Sequence, residues 1–153
     1  MLQISPFFLP TFFLISILIQ ILIGALVSGL DAGQIYNSWP LMNQSYFPDD
    51  FNIKDIFSLN TFDKPSLVQF IHRNLAYLIL ILFFIILTVS FRNNDFVYLR
   101  KTTLLVFASL SLQIVLGILT VLSGAQIILA SMHQIGSIIL VTTSLILVFK
   151  NSK

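Results

Sequence analysis

Four apolar runs, each about as long as a helix must be to cross a bilayer, dominate this chain. They cover about residues 7–30, 66–91, 99–122 and 126–149. Backbone in lipid finds no water to bond with, so each run must satisfy its own N–H and C=O groups as a helix. The expectation is an all-α fold: an integral membrane four-helix bundle, forming a single four-span domain over residues 1–153 in the lipid bilayer. Charge supports this, since only 9% of the residues are charged and the mean hydropathy is +0.96. A soluble domain carries roughly a quarter charged residues. The net charge of +2 is scattered, which excludes a nucleic-acid face. All six acids are aspartates and cysteine is absent. A glutamate base, a thiolate metal site and a cysteine nucleophile are therefore excluded.

The connections are unequal. Residues 31–65 form a long polar loop holding five aspartates with Trp39, Tyr46, Pro40 and Pro48, whereas "SGAQ" at 123–126 is a tight turn. Arg92, Arg100, Lys101, Lys150 and Lys153 fall on one side of the spans, and only Lys54 and Lys64 on the other. The positive-inside rule then puts both termini on the cytoplasmic or matrix side and the 31–65 loop outside. The first basic residue is Lys54, so no signal peptide is expected.

Both histidines, His72 and His133, lie in spans, six and seven residues from the outer ends. At 1.5 Å per residue this places them at one depth, roughly 9–11 Å below the outer boundary. Spans two and four run in the same direction, so the imidazoles are able to face each other. Two nitrogens make a poor zinc site, which needs four ligands. They do suffice for a haem, whose porphyrin supplies the other four positions, and helix bundles hold cofactors in this way. Ala130, Gly136 and Ser137 flank His133, and Ala76 follows His72 by one turn, leaving small faces for a flat ring. Arg73 is suited to a haem propionate, or alternatively snorkels to the headgroups. Gln69, one turn before His72, suits a ligand, a propionate or a neighbouring helix. The plainer reading of either histidine is a hydrogen-bonded packing residue.

"QILIGALVSG" (20–29) and "QIVLGILTVLSG" (113–124) echo each other. Gln20 and Gln113, Ile21 and Ile114, Gly24 and Gly117, and Leu26 and Leu119 align at an offset of 93 residues. The chain thus reads as two helical hairpins in parallel repeat, each supplying one histidine. The same glycines also suit close helix approach in lipid.

Longer segments carry a family resemblance. "GALVSGLDAGQIYNSWPLM" (24–42), "QFIHRNLAY" (69–77), "LQIVLGILTVLSG" (112–124) and "ASMHQIGSIIL" (130–140) resemble the haem A synthases of mitochondria and alphaproteobacteria, which serve cytochrome-oxidase assembly. That resemblance implies oxidation of a methyl group of haem O to the formyl of haem A, in the cell inner membrane or mitochondrial inner membrane. It also implies that this chain corresponds to the C-terminal of two four-helix halves, the one holding haem b, with His72 and His133 as the iron's axial ligands. The family's other half carries an acid ahead of its own His-Arg pair, where this chain has Gln69. Activity then calls for a second half, a partner subunit or a homo-oligomer. The alternative is a di-histidine cytochrome b carrying electrons to or from quinone. A third reading is a membrane protein whose histidines only pack. Asp31, Tyr36, Asn37 and Trp39 in the loop are further site candidates without an assigned role.

Overall fold

The first apolar run becomes helix α1 (Phe8–Gly29), and its buried residues Pro10, Phe13 and Ile17 mark an inward stripe at alternating three- and four-residue steps. In the computed structural model, which describes residues 8–56 and 58–152 and all their side chains except those of 56, 59 and 60, that stripe runs on through Gln20 to Gly24. Phe7, where the first expected span begins, and Lys153 lie outside the described residues. Three more long helices follow: α2 (Pro65–Arg92), α3 (Arg100–Leu122) and α4 (Ile127–Asn151). All four are long and apolar enough to cross a membrane. Pro65 opens α2 at a position where its missing N–H is no loss.

Packing arranges the helices as a ring, α1 against α2, α2 against α3, α3 against α4, and α4 back on α1. His72 on α2 and His133 on α4 therefore occupy opposite corners. The repeat is visible in the buried residues. Pro10, Phe13 and Ile17 of α1 have buried counterparts Thr103, Val106 and Leu110 in α3, at the same offset of 93. Ile79, Phe83, Ile86 and Ser90 of α2 correspond to buried Leu140, Ser144, Leu147 and Asn151 of α4, and here the offset is 61. His72 and His133 share that offset. The two offsets differ because the first hairpin carries the long outer loop and the second only the "SGAQ" turn.

The main core lies on the inner side of the histidine level, where Phe13, Ile17, Phe83, Val106, Leu110, Leu140 and Leu147 meet. Within it Phe13 and Phe83 of one hairpin pack with centroids 5.6 Å apart, in one cluster with Val106, Leu110, Leu140 and Leu147 of the other. At the inner end Arg100 donates from Nε to the Ser90 carbonyl (3.1 Å) and from Nη2 to that of Phe91 (2.9 Å). It thereby satisfies carbonyls that the end of α2 leaves open.

The outer loop folds back over the bundle and forms a second apolar cluster, Tyr36, Met42, Leu67 and Phe70. It also reaches the other hairpin. A Cβ on Gly33 would stand 3.2 Å from Ala125 Cβ, and one on Gly124 would stand 3.5 Å from Asn37 Nδ2. Gly124 adopts φ +68° and Ala125 φ 59°, the left-handed backbone that turns α3 into α4 under the loop.

Candidate cofactor site

The two histidines sit between these apolar clusters, in matched surroundings. Against His72 lies Gly24 of α1, where a Cβ would come within 3.1 Å of the ring's Cε1. Against His133 lies Gly117 of α3, where a Cβ would come within 3.0 Å of Cε1. Each imidazole thus occupies space that only a glycine leaves. One turn inward a glutamine fastens each histidine's backbone. Gln20 Nε2 donates to the His72 carbonyl at 3.0 Å, and Gln113 Nε2 to that of His133 at 2.7 Å. The echo in α1 and α3 therefore places the same pair, one glycine and one glutamine, on each histidine.

The rings themselves are under-satisfied. Nδ1 of His72 and Nδ1 of His133 are buried without a hydrogen-bond partner. Among the described residues no group of three or more His, Cys, Asp or Glu side chains converges. A metal that depends on protein ligands alone would be left incomplete here. The residues do fit a group that brings its own equatorial ligands and asks the protein for two nitrogens on opposite sides. Glycine-backed rings, free ring nitrogens and opposite helix corners meet that need.

Gly136 serves a different purpose from the one expected. Its missing side chain makes room for the carboxamide oxygen of Gln113, so it seats the tether on α4 rather than clearing a face for a flat ring.

Arg73 and Gln69 turn toward the loop. Arg73 is only 8% exposed, and its Nη1 donates to the carbonyls of Ser38 (2.9 Å) and Leu41 (3.3 Å) while Nη2 donates to Tyr36 (2.9 Å). Gln69 Nε2 donates to the same Tyr36 carbonyl at 3.1 Å. The remaining polar atoms of these side chains, Arg73 Nε and Gln69 Oε1, are buried and unpartnered. Among the loop candidates Tyr36 is buried, and its hydroxyl accepts from Asp49 N at 3.0 Å. Asp31 is exposed, with φ 51°, just beyond α1. Trp39 is 43% exposed and joins Pro40 by a cis bond. Asn37 packs on Gly124. The loop thus meets the histidine region through its backbone carbonyls and Tyr36. Sequence reasoning missed this anchoring, because carbonyl acceptors carry no residue signature. The glutamine tethers were in view, but as half of a repeat without a task.

Fold and site define a membrane four-helix protein of two parallel-repeat hairpins with one histidine in the spans of each. The chain belongs to the COX15-CtaA family, described as cytochrome oxidase assembly protein, which it matches over residues 4–145. It is 42% identical over 148 residues to the Heme A synthase of Pelagibacter ubique, covering 94% of this chain and 43% of that protein. It is 41% identical over 116 residues to that of Roseobacter denitrificans, covering 76% of this chain and 30% of the relative. Against that of Sinorhizobium fredii it is 39% identical over 122 residues, 80% of this chain and 33% of the relative. The chain spans less than half the length of these relatives. No solved structure matches it.

Proposed function

We propose that this chain is the haem b-holding four-helix unit of a haem A synthase-type oxidoreductase, acting in haem A biosynthesis for cytochrome oxidase. The complete enzyme, on this reading, oxidises a methyl group of haem O to the formyl of haem A. The observation that carries the proposal is the mirrored histidine pair: opposite corners, a glycine behind each ring, a glutamine on each backbone, and a buried unpartnered nitrogen in each. An unsatisfied buried nitrogen costs about 1–3 kcal/mol, a cost that engagement of the rings with a bound group is placed to relieve. His72 and His133 are the proposed axial ligands. When bound, haem b supplies one-electron redox chemistry.

The chain's own residues hold and shield it. Arg73, with Nε–H still free beneath the loop, is the donor proposed for an acidic edge of the cofactor. Gln69, whose amide nitrogen is used on Tyr36, keeps the loop in place beside it. Phe70, Leu67 and Met42 close the outer side against water. Gln69, which is neither acid nor base, stands where the family's other half carries an acid, so oxidation of haem O is proposed to need a second unit, whether a further half, a separate subunit or another copy. The proposed setting is the cell inner membrane or mitochondrial inner membrane, with both termini cytoplasmic or on the matrix side.

The test is a reduced-minus-oxidised visible spectrum of the purified protein beside His72→Ala and His133→Ala. A low-spin b-type spectrum, lost or converted to high-spin in each variant, is the expected result. Well-folded wild type that binds no haem, or variants that keep the wild-type spectrum, would overturn the proposal.

A further inference from the structure

The mirrored site has one asymmetry. Gln20 Nε2, besides donating to the His72 carbonyl, lies 3.3 Å from the ring's Nε2. The carbonyl accepts only, so the Gln20 atom facing both must be the NH2 nitrogen, whose second hydrogen points to an imidazole lone pair. That contact spends the lone pair on Nε2 and leaves the ring proton on Nδ1. Gln113 makes only the carbonyl contact, its oxygen being seated in the space left by Gly136. Among the described residues no side-chain donor reaches the His133 ring, whose hydrogen-bonding neighbour is the backbone carbonyl of Gln113, an acceptor that spends no ring lone pair, and its Nδ1 is buried and unpartnered.

We propose that Gln20 is a latch on His72, so that His133 engages an incoming cofactor first and His72 second, after Gln20 lets go. The order rests on the proposed role of both histidines as haem ligands. Whichever nitrogen of His72 ligates, its bond from Gln20 is given up or its proton moved, and His133 has no such step. Gln20 is a positioning residue, since it acts through His72.

The experiment adds ferric protoporphyrin IX to the cofactor-free full chain in detergent and follows visible absorbance by stopped flow. Two phases are expected, a high-spin signal followed by a low-spin one. His133→Ala should lose the first and His72→Ala only the second. Gln20→Met, which keeps bulk but no donor, should speed the second phase about fivefold, the worth of one ordinary hydrogen bond. Gln113→Met, which removes a carbonyl contact but no ring contact, should leave that phase at the wild-type rate. A single phase in wild type, a first phase that survives in His133→Ala, or an unchanged second phase in Gln20→Met would overturn the order. Wild type that takes up no porphyrin overturns the ligand assignment and the order with it. A readout without haem separates the two failures. The 15N NMR shifts of the His72 ring in cofactor-free protein should change in Gln20→Met, with those of His133 unmoved. Unchanged His72 shifts would remove the latch while leaving the ligand assignment standing.

Discussion

A single methyl group separates Gly117 from a clash with His133. A Cβ there would stand 3.0 Å from Cε1 and 3.5 Å from Nδ1. Replacing it with alanine gains about 1 kcal/mol of helix propensity and costs about 1–3 kcal/mol of overpacking, so stability should fall by at most about 2 kcal/mol. The ring, however, has to move. We expect Gly117→Ala to fold yet show an altered or missing low-spin signal in haem titration. Gly29→Ala is the control, because a Cβ there meets nothing within 4 Å. Equal spectra for the two variants would show that the glycine behind His133 is dispensable. The histidines were legible in the sequence as a pair at one depth, since helical rise converts residue number into depth. Their glycine backing was legible only as a repeated motif.

The outer loop is the element whose behaviour depends most on one side chain. Arg73 gathers the carbonyls of Tyr36, Ser38 and Leu41 with a buried guanidinium, and Gln69 adds a second bond to Tyr36. Hydrogen bonds to charged groups are worth more than neutral ones, and unsatisfied buried carbonyls add their own cost. Arg73→Leu should therefore destabilise the protein by about 2–4 kcal/mol and free the loop. The checks are a thermal melt in detergent and the rate of proteolytic cleavage within 31–64, which should rise well before the helices are cut. Cleavage at the wild-type rate would mean that the aromatic contacts of Tyr46, Phe47, Phe51 and Phe70 hold the loop without Arg73. The sequence placed Arg73 beside a cofactor edge or the headgroups. What it could not show is that the loop's backbone folds down to meet the guanidinium.

At the scale of the whole molecule, the proposed orientation rests on the basic residues at the end of the bundle away from the histidines. Arg100 is held on the end of α2, Arg92 closes its last turn, and Lys150 lies in the last turn of α4. The chain has no cysteine, so single introduced cysteines report topology cleanly. Gln44→Cys in the outer loop should react with an impermeant maleimide from outside intact cells. Asn94→Cys between α2 and α3 should react only after lysis. The opposite labelling would invert the proposed orientation and place the loop, with the histidine end, on the cytoplasmic side.

By itself the sequence determined the helical class, the four spans, the shared depth of His72 and His133, and the 93-residue echo of Gln20 and Gly24 in Gln113 and Gly117. Those are one-dimensional properties: the length of an apolar run, the rise of a helix, and identity at a fixed offset. Only the tertiary structure decided which helix face turns inward, that the histidines take opposite corners, that Gly136 belongs to Gln113, and that the Gln20 side chain touches a ring nitrogen while that of Gln113 bonds only a backbone carbonyl. The reason is the solvent. In water an amphipathic stripe announces the buried face, but lipid tails are as apolar as a leucine core, so both faces of these helices carry the same residues. Rotation about the helix axis is then set by small residues and a few hydrogen bonds, which acquire meaning only when the facing helix is in place.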